Sequence, residues 1–589
     1  MDRRPRNRLA LVSLCCASIV ASHGWTREPP PGSFAYVLQA DRLADARTAA
    51  VARLARSRRD WIILDADGDG ETPWSKDELT RIRHERAGRK VLAYLSIGEA
   101  ENYRSYWRPA WRRSPPPFLM EENEDWPGNY RVKFWMPTWQ AIILRQVDRV
   151  MAQGFDGLYL DKVDVFEAFE YDRERRDWID HRINRATGRS YRADMAAWVR
   201  RVAERARRHA PGALIVPQNG SQLLDERSYR KLIDGIGVED LYTDGERKQD
   251  RDDTKEREGR LKSLVASGKA VLCVDYSKQP AWRRYAALRA WGQGYSFLTT
   301  DRELTRIGKS LEHFGYLGPG YHNRTKRFTP RDEMRDDDWS DPREIKRSWE
   351  AALVRIPGRS KGKMIRTTMG VLSEGRVRVP DGKWPTVVYL HGCAGVWPGT
   401  YRRIDWLAAN GFAVVAPVSL ARRKYPRSCD VRQHRGGLYR PTLRMRQLDA
   451  AYAIAHAKQL RWVDPQNVFL MGLSQGGITT ATLRTDDPAT RVNARVVEGW
   501  TCHAGWEEYR GINAPPEEPV LTLVGARDPW FQHRWNRGDC GVFLDKTNGS
   551  RSVVFRSPPL RDRHELLEAA EARQIVLDFL NRYRKRTMP

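Results

Sequence analysis

The stretch GFDGLYLDKVDVFEAFE, residues 154–170, decides how the first half of the chain is interpreted. Its apolar run ends on Asp161, and Asp164 and Glu167 follow at helical spacing. A buried strand that carries a carboxylate at its C-terminal end is typical of parallel α/β enzymes. A helix N-cap is the alternative for Asp161, because aspartate favours that position. The ends of the other strands help to separate the two interpretations.

Eight short β-type runs alternate with amphipathic helical segments between residues 33 and 318. The runs are 34–38, 61–64, 91–95, 157–160, 213–216, 235–238, 270–274 and 295–298. Eight strand–helix repeats over roughly 280 residues predict an α/β fold, a (β/α)₈ TIM barrel. An open doubly wound sheet is the alternative.

The residues that end these runs predict a single active-site mouth, because barrel enzymes collect their functional groups at the C-terminal ends of the strands. The run ends are Gln39, Asp65, Ser96, Asp161, Gln218 with Asn219, Glu239, Asp275 and Thr299. A glycosidase needs two carboxyl groups that flank one bond. Asp161 and Glu239 directly terminate apolar runs and are the candidate catalytic pair. For Glu239 the alternative is a surface acid that opens a charged loop.

A polar, proline-punctuated segment at 319–363 predicts a linker with a short helix at 345–353, followed by a second domain over 364–589. GLSQGG at 472–477 is a G-x-S-x-G motif between a β-type run and a helical one. This is the setting of a nucleophile elbow, and it makes Ser474 the candidate nucleophile of an α/β-hydrolase, a doubly wound and mostly parallel sheet.

The rest of a serine-hydrolase site follows in the chain order of that fold. Asp528 ends a strand-like run and His564 comes after it, so the order is Ser, Asp, His. The nearest substitutes are Asp562 and His503. The turn HGCAG, which contains Cys393, and the backbone N–H of Gln475 are the candidate oxyanion hole.

The charge and the first residues exclude some functions and favour others. Lys and Arg number 102 against 75 Asp and Glu, a net charge of +27, but no continuous basic tract or nucleic-acid motif is present. The chain begins with the basic stretch MDRRPRNR, which is followed by an apolar run and then by small residues. This pattern predicts a signal peptide at 1–24 and a secreted or periplasmic protein. A lipoprotein anchored at Cys15 or Cys16 is the alternative. No later segment has the length of a membrane span.

Export permits disulfides. Cys273 lies alone in an apolar run and is expected to be a buried thiol. Besides Cys273, four cysteines follow the signal peptide and leave three pairings open, of which the sequential one closes the shorter loops and is favoured: Cys393 with Cys429, and Cys502 with Cys540. Their spacing suits no familiar zinc site, and no metal or cofactor is predicted.

Four motifs in the first domain resemble glycoside hydrolase family 114, the endo-α-1,4-polygalactosaminidases: KVLAYLSIGEAENYRSYW, GFDGLYLDKVDVFE, PQNG and GIGVEDLY. The resemblance covers about 34–300 and implies a barrel that cuts α-1,4-linked galactosamine polymers of an exopolysaccharide. It matches Asp161 and Glu239 to the catalytic pair, with Asp161 as nucleophile and Glu239 as acid/base by the layout of retaining barrels. An inverting mechanism is the alternative, and the separation of the two carboxylates would decide: roughly 5 Å favours retention and about 6.5–9.5 Å inversion. The expected substrate-binding residues are Asp65, Glu99, Glu101, Tyr103, Asp164, Asn219, Asp275 and Tyr276.

The electrostatic expectation follows from that substrate. A free galactosamine polymer is cationic while the protein is strongly basic, so we expect the acids of the mouth to reverse the field locally. The insertion at 171–191 looks longer than the family pattern and affects the shape of the substrate site.

The second domain resembles the dienelactone hydrolase branch of the α/β-hydrolases over about 364–584, through WVDPQNVFLMGLSQGG, HGCAG and GARDPW. The founding enzymes use cysteine where this chain has Ser474, so ester hydrolysis is expected rather than dienelactone cleavage. The chain is thus expected to join a glycosidase to a serine esterase, with removal of O-acyl groups from the same polymer as one hypothesis. The alternative is an inactive, carbohydrate-binding barrel that targets a single esterase.

Overall fold

The computed structural model describes residues 30–585 except 69–71, 87, 173, 322–325, 359–362 and 376. The predicted signal peptide at 1–24 lies outside the described residues. Within the described part of the chain, no helix combines the length and apolar character needed to cross a bilayer.

The first unit is built on eight parallel strands, one for each predicted run. They are β1 (Phe34–Val37), β2 (Trp61–Asp65), β3 (Lys90–Ser96), β4 (Gly157–Asp161), β5 (Leu214–Pro217), β6 (Gly235–Glu239), β7 (Ala270–Asp275) and β8 (Ser296–Thr299). Strands β1 to β5 pair in sequence order, as do β6 to β8. A parallel bridge between Gln218 and Gly237 links the two sets, and β8 lies beside β1. The predicted TIM barrel is therefore confirmed, and the open sheet is wrong.

Helices cover the outside of the barrel, and aromatic side chains fill the inside. The helices are α1 (Arg47–Arg56), α2 (Lys76–His84), α3 (Pro137–Gln153), α4 (Phe166–Glu170), α5 (Tyr191–His209), α6 (Arg227–Leu232), α7 (Arg251–Ala266) and α8 (Pro280–Gln293). Most strand residues are buried, as expected of parallel strands covered on both faces. The interior contains a cluster that includes Tyr36, Tyr94, Tyr159 and Tyr276. The insertion at 171–191 forms two short antiparallel ladders on the loop side that follows β4.

The second unit is one eight-stranded sheet. Its strands are β9 (Leu353–Pro357), β10 (Met364–Thr368), β11 (Trp384–Leu390), β12 (Ala413–Ala416), β13 (Val463–Leu473), β14 (Arg495–Glu498), β15 (Val520–Gly525) and β16 (Arg551–Phe555). The order across the sheet is β10-β9-β12-β11-β13-β14-β15-β16. Among the described residues, the β9–β10 and β9–β12 pairs are antiparallel and the other pairs are parallel, as the predicted mostly parallel sheet requires.

Six helices of the described residues belong to this unit: α9 (Pro342–Glu350), α10 (Met369–Ser373), α11 (Pro398–Ala409), α12 (Thr442–Ala457), α13 (Gln475–Thr482) and α14 (Ala570–Arg582). The linker predicted at 319–363 is wrong in its second half, because α9 and β9 are parts of the second unit. In β9, Arg355 interrupts the apolar run LVRIP, which hid the strand. The Arg355 side chain is completely buried in the structure. Its charge is compensated there, because its Nε donates to Asp405 Oδ1 at 2.5 Å.

The two units contact each other through this region. The Nη2 of Arg355 donates to the carbonyl of Gly315 at 2.9 Å. Beside it, the ring of Trp291 stacks on Tyr316 and meets Tyr401 edge-on, with centroids 4.9 and 4.8 Å apart. The backbone N–H of Leu317 donates to the Tyr401 hydroxyl at 2.9 Å. Barrel and sheet therefore share one aromatic contact region.

Two arginines on one carboxylate give a test of this contact. Arg355 and Arg366 both bind Asp405, but the Arg355 side chain is fully buried whereas that of Arg366 is 37% exposed. Arg355→Ala should lower the free energy of unfolding by about 2–4 kcal/mol, because it removes a fully buried side chain and leaves the buried Gly315 carbonyl without this donor. The matched control, Arg366→Ala, should cost about 0–1 kcal/mol. Urea titration would measure both values, and equal losses would contradict the assignment.

Candidate functional sites

The first candidate site lies at the C-terminal end of the barrel, where Asp161 ends β4 and Glu239 ends β6. The Tyr94 hydroxyl donates to Asp161 Oδ2 at 2.7 Å. The Tyr276 hydroxyl donates to Glu239 Oε1, and Gln218 Nε2 donates to Glu239 Oε2 at 2.6 Å. Each carboxylate is thus held by a tyrosine from the barrel interior. Both side chains keep partial exposure to solvent.

The acids of the mouth influence one another. Burial, reinforced by the negative charge of Asp161, raises the pKa of Glu239 to about 7 against the opposing hydrogen bond from Tyr276. Burial and the charges of Asp161 and Glu167 raise the pKa of Asp164 to about 7. The carboxyls of Glu239 and Asp164 can therefore both carry a proton near neutral pH.

Basic residues pair with three of the predicted substrate-binding acids. Arg104 donates from Nη1 and Nη2 to the two oxygens of Asp65, each at 2.7 Å, and from Nε to Glu101 Oε2 at 2.6 Å. Lys162 Nζ lies 3.3 Å from Glu99 Oε2. The expected field reversal is therefore weaker than the count of acids suggested, because Arg104 and Lys162 offset part of it. Both cations stand in the quoted motifs, but spacing alone did not reveal their partners.

The other predicted residues of the mouth separate into two groups. Tyr103 is 54% exposed and donates to Glu101, and Asn219 Nδ2 lies 3.5 Å from Glu239 Oε2. Asp275 is only 1% exposed and accepts hydrogen bonds from the Thr243 hydroxyl and the Ser277 N–H. The carboxylate of Asp275 is enclosed and holds the loop after β7, and its contact with substrate stays a prediction.

The second candidate site is built around Ser474, between β13 and α13. Ser474 has φ +57° and ψ −120°, a strained conformation for a residue with a side chain. The turn is possible because Gly472 and Gly476, two residues away on either side, have no side chain. A Cβ on Gly472 would lie 2.2 Å from the Gly476 carbonyl oxygen, and one on Gly476 would lie 2.2 Å from the Leu390 carbonyl oxygen. This is the geometry of the predicted nucleophile elbow.

The other two predicted residues of the triad, His564 and Asp528, contact each other. His564 Nδ1 lies 2.7 Å from Asp528 Oδ2, and the Asp528 side chain is buried. His564 Nε2 has no hydrogen-bond partner among the described residues. The two alternative triad residues have other partners: Asp562 pairs with Arg561, and the His503 ring packs on Phe543.

A cavity of about 560 Å³ opens above Ser474, and Cys393 and Gln475 also line it. The structure contains the sequential disulfides, Cys393–Cys429 and Cys502–Cys540, and a free buried Cys273. The first disulfide joins the HGCAG turn to Cys429, which also lines the cavity.

Sequence reasoning missed Arg446, which lies beneath the HGCAG turn. Its Nη2 donates to the His391 carbonyl at 2.5 Å, and its Nη1 lies 3.3 Å from Gln475 Oε1. Arg446 is buried on α12 and thereby supports both parts of the candidate oxyanion hole. Its place in an arginine-rich segment gave no signal of this contact.

Comparison with known proteins places both units. The model of glycoside hydrolase family GH114 matches residues 18–316, and that of the dienelactone hydrolase family matches 374–535. An uncharacterised protein from Deinococcus radiodurans is 37% identical over 253 residues, 42% of this chain and 74% of that protein. The uncharacterised protein MJ1477 from Methanocaldococcus jannaschii is 35% identical over 236 residues, 39% of this chain and 64% of that protein.

Similar solved structures include the glycoside hydrolase domain of PelA from Pseudomonas aeruginosa. It is 22% identical with a TM-score of 0.35, over 48% of this chain and 98% of that chain. Aspergillus fumigatus Ega3 in complex with galactosamine is 19% identical with a TM-score of 0.35, over 48% and 96%. On the strength of the family models and the curated relatives, this chain belongs to glycoside hydrolase family GH114 and carries a dienelactone hydrolase-type domain after its barrel.

Proposed function

We propose that the chain is an exported, bifunctional hydrolase. Its barrel cuts an α-1,4-linked galactosamine-type exopolysaccharide internally, and its second domain is a serine esterase. The signal-like sequence at 1–24 and the two disulfides support export. The galactosamine assignment rests on the four sequence motifs of the barrel.

One observation carries the glycosidase half: the two carboxyls of the mouth have different environments. Glu239, with a pKa raised to about 7, can hold a proton for the glycosidic oxygen. Asp161 is proposed to attack the anomeric carbon as that oxygen leaves with the proton of Glu239. Glu239 then takes a proton from water, which attacks the glycosyl ester and regenerates Asp161.

Asp164 is proposed to bind the ammonium group of the sugar. Its raised pKa of about 7 reflects burial and nearby negative charge. An arriving cation would remove much of that penalty and favour the ionised form of Asp164. Asp65, Glu99 and Glu101, which are paired with Arg104 and Lys162, are proposed to shape the mouth rather than to bind the cation.

Asp161→Asn tests the catalytic assignment. Release of soluble oligomers from the polymer should fall by about a thousandfold or more, because the amide cannot form the glycosyl ester. Chromatography of the products would measure the loss, and NMR of the first wild-type product should show the α-anomer. Ser474→Ala is the control and should keep full polymer cleavage. Undiminished cleavage by Asp161→Asn would refute the role, and a wild type that binds polymer without cleaving it would favour the inactive-barrel alternative.

Tyr276→Phe tests the hydrogen bond to Glu239. Its loss removes a contact that stabilises the ionised carboxylate, so the pKa of Glu239 should rise further above about 7. Because protonated Glu239 is the active form, the alkaline fall of kcat/KM should move to higher pH. Tyr159→Phe is a matched control, since the Tyr159 hydroxyl has no hydrogen-bond partner among the described residues. An unchanged or acid-shifted profile in Tyr276→Phe would contradict the assignment.

In the esterase half, Ser474 Oγ is proposed to attack the ester carbonyl carbon while His564 Nε2 takes the hydroxyl proton. Asp528 holds the imidazole through Nδ1, and the backbone N–H groups of Cys393 and Gln475 stabilise the oxyanion. The alcohol leaves with the proton from His564. Water, deprotonated by His564, then attacks the acyl-enzyme and releases the acid.

Ser474→Ala should abolish the hydrolysis of simple esters, with a loss of about a thousandfold or more in kcat. Polymer cleavage should stay within about twofold of the wild type, because the barrel carries its own carboxyls. A pH-stat assay of ester hydrolysis and oligomer release on one preparation would measure both. If Ser474→Ala also stopped polymer cleavage, the chain would be an esterase with a single activity.

A further inference from the structure

Aromatic rings surround the cavity above Ser474. Trp530 stacks on the imidazole of His564, with centroids 5.1 Å apart and planes 26° apart, and Phe531 lies 5.7 Å from the same imidazole. Further from the base, Trp500, Trp506 and Tyr509 also line the cavity. A group attached to the reacting carbonyl would therefore meet flat apolar surfaces beside the catalytic base.

The charge of this cavity is opposite to that of the barrel mouth. No Asp or Glu is among its lining residues in the part of the chain that the structure describes. Arg331 and Arg435 do line it, are exposed, and make no ion pair with any described residue. A free-amine polymer would be repelled here, whereas a neutral or anionic ester would be accepted.

The size of the cavity also argues against a small acyl group. About 560 Å³ is within the range of sites for small organic ligands. An acetyl group on Ser474 would contact only a small part of such a wall. A planar ring conjugated to the carbonyl would reach the rings that flank His564.

We propose that the ester site takes esters of aromatic acids, of the benzoate or cinnamate type, and not the acetyl ester of a cationic amino-sugar polymer. This inference rests on the proposed serine-esterase activity. The acyl bond to Ser474 Oγ forms as the ester C–O bond breaks, the alcohol leaves with the serine proton, and water then releases the aromatic acid. The hypothesis that both domains act on one polymer is thereby replaced.

The first measurement compares ethyl esters that share one alcohol, so that only the acid part differs. With the full chain in a pH-stat assay, kcat/KM for ethyl cinnamate should exceed that for ethyl acetate by about tenfold or more, because the rings stabilise the larger acyl group. An ethyl cinnamate with a ring carboxylate should react about threefold or more faster than one with a ring trimethylammonium. A preference for the acetate or for the cationic ester would overturn the proposal.

Two variants assign the effects to residues. Trp506→Leu should lower kcat/KM for ethyl cinnamate by about tenfold and leave ethyl acetate within about twofold. Arg435→Gln should reduce the ratio between carboxylate and trimethylammonium esters by about twofold, because it removes one of the two exposed cations of the lining. Equal losses on both acyl groups in Trp506→Leu, or an unchanged charge ratio in Arg435→Gln, would overturn the assignment. If the folded wild type hydrolysed no ester at all, the proposed serine esterase itself would be refuted.

Discussion

The phenol of Tyr159 packs directly against the backbone of Gly237, and the mouth of the barrel is built over this contact. A Cβ at Gly237 would lie 1.8 Å from the Tyr159 hydroxyl oxygen, so only glycine fits there. Tyr159 is fully buried and its ring contacts Tyr36 at a centroid distance of 5.1 Å. This aromatic layer fills the barrel interior, and its neighbours Tyr94 and Tyr276 provide the hydroxyls that hold the two candidate catalytic acids. Packing in the core thus fixes the geometry of the polar site.

The same layer explains why the acids of the mouth differ from one another. Burial near other carboxylates favours the protonated form, and this acts on Glu239 and Asp164. Where a cation lies alongside, as Arg104 does for Glu101, the negative charge is compensated instead. The mouth therefore contains two acids with raised pKa values, Glu239 and Asp164, next to an ion-pair network centred on Arg104. A uniform negative surface, which the count of acids suggested, would have given no such division of roles.

Features that a local sequence pattern encodes could be predicted from the sequence. Features that depend on a contact with a residue far away in the chain could not. All eight barrel strands were predicted because each is an uninterrupted apolar run covered on both faces. Ser474 was equally visible, since its turn requires flanking glycines. Strand β9 was missed because the charge of Arg355 is buried only through Asp405, fifty positions away. The hydrogen bond that encloses Asp275 was hidden for the same kind of reason, because its partner Thr243 comes from a different loop.

The contact between the units bears on what the fusion achieves. Trp291, Tyr316 and Tyr401 pack together, and Arg355 reaches across to Gly315, so the two units share an interface and not only a tether. The barrel mouth carries acids with raised pKa values, Glu239 and Asp164. The cavity above Ser474 has no lining carboxylate among the described residues. Sites of such opposite character favour ligands of opposite charge. Joining them keeps the two sites at a high mutual concentration in one place. Under the two proposals, the fusion suits a mixed matrix, in which a cationic chain and aromatic esters lie side by side, better than two successive steps on one cationic polymer.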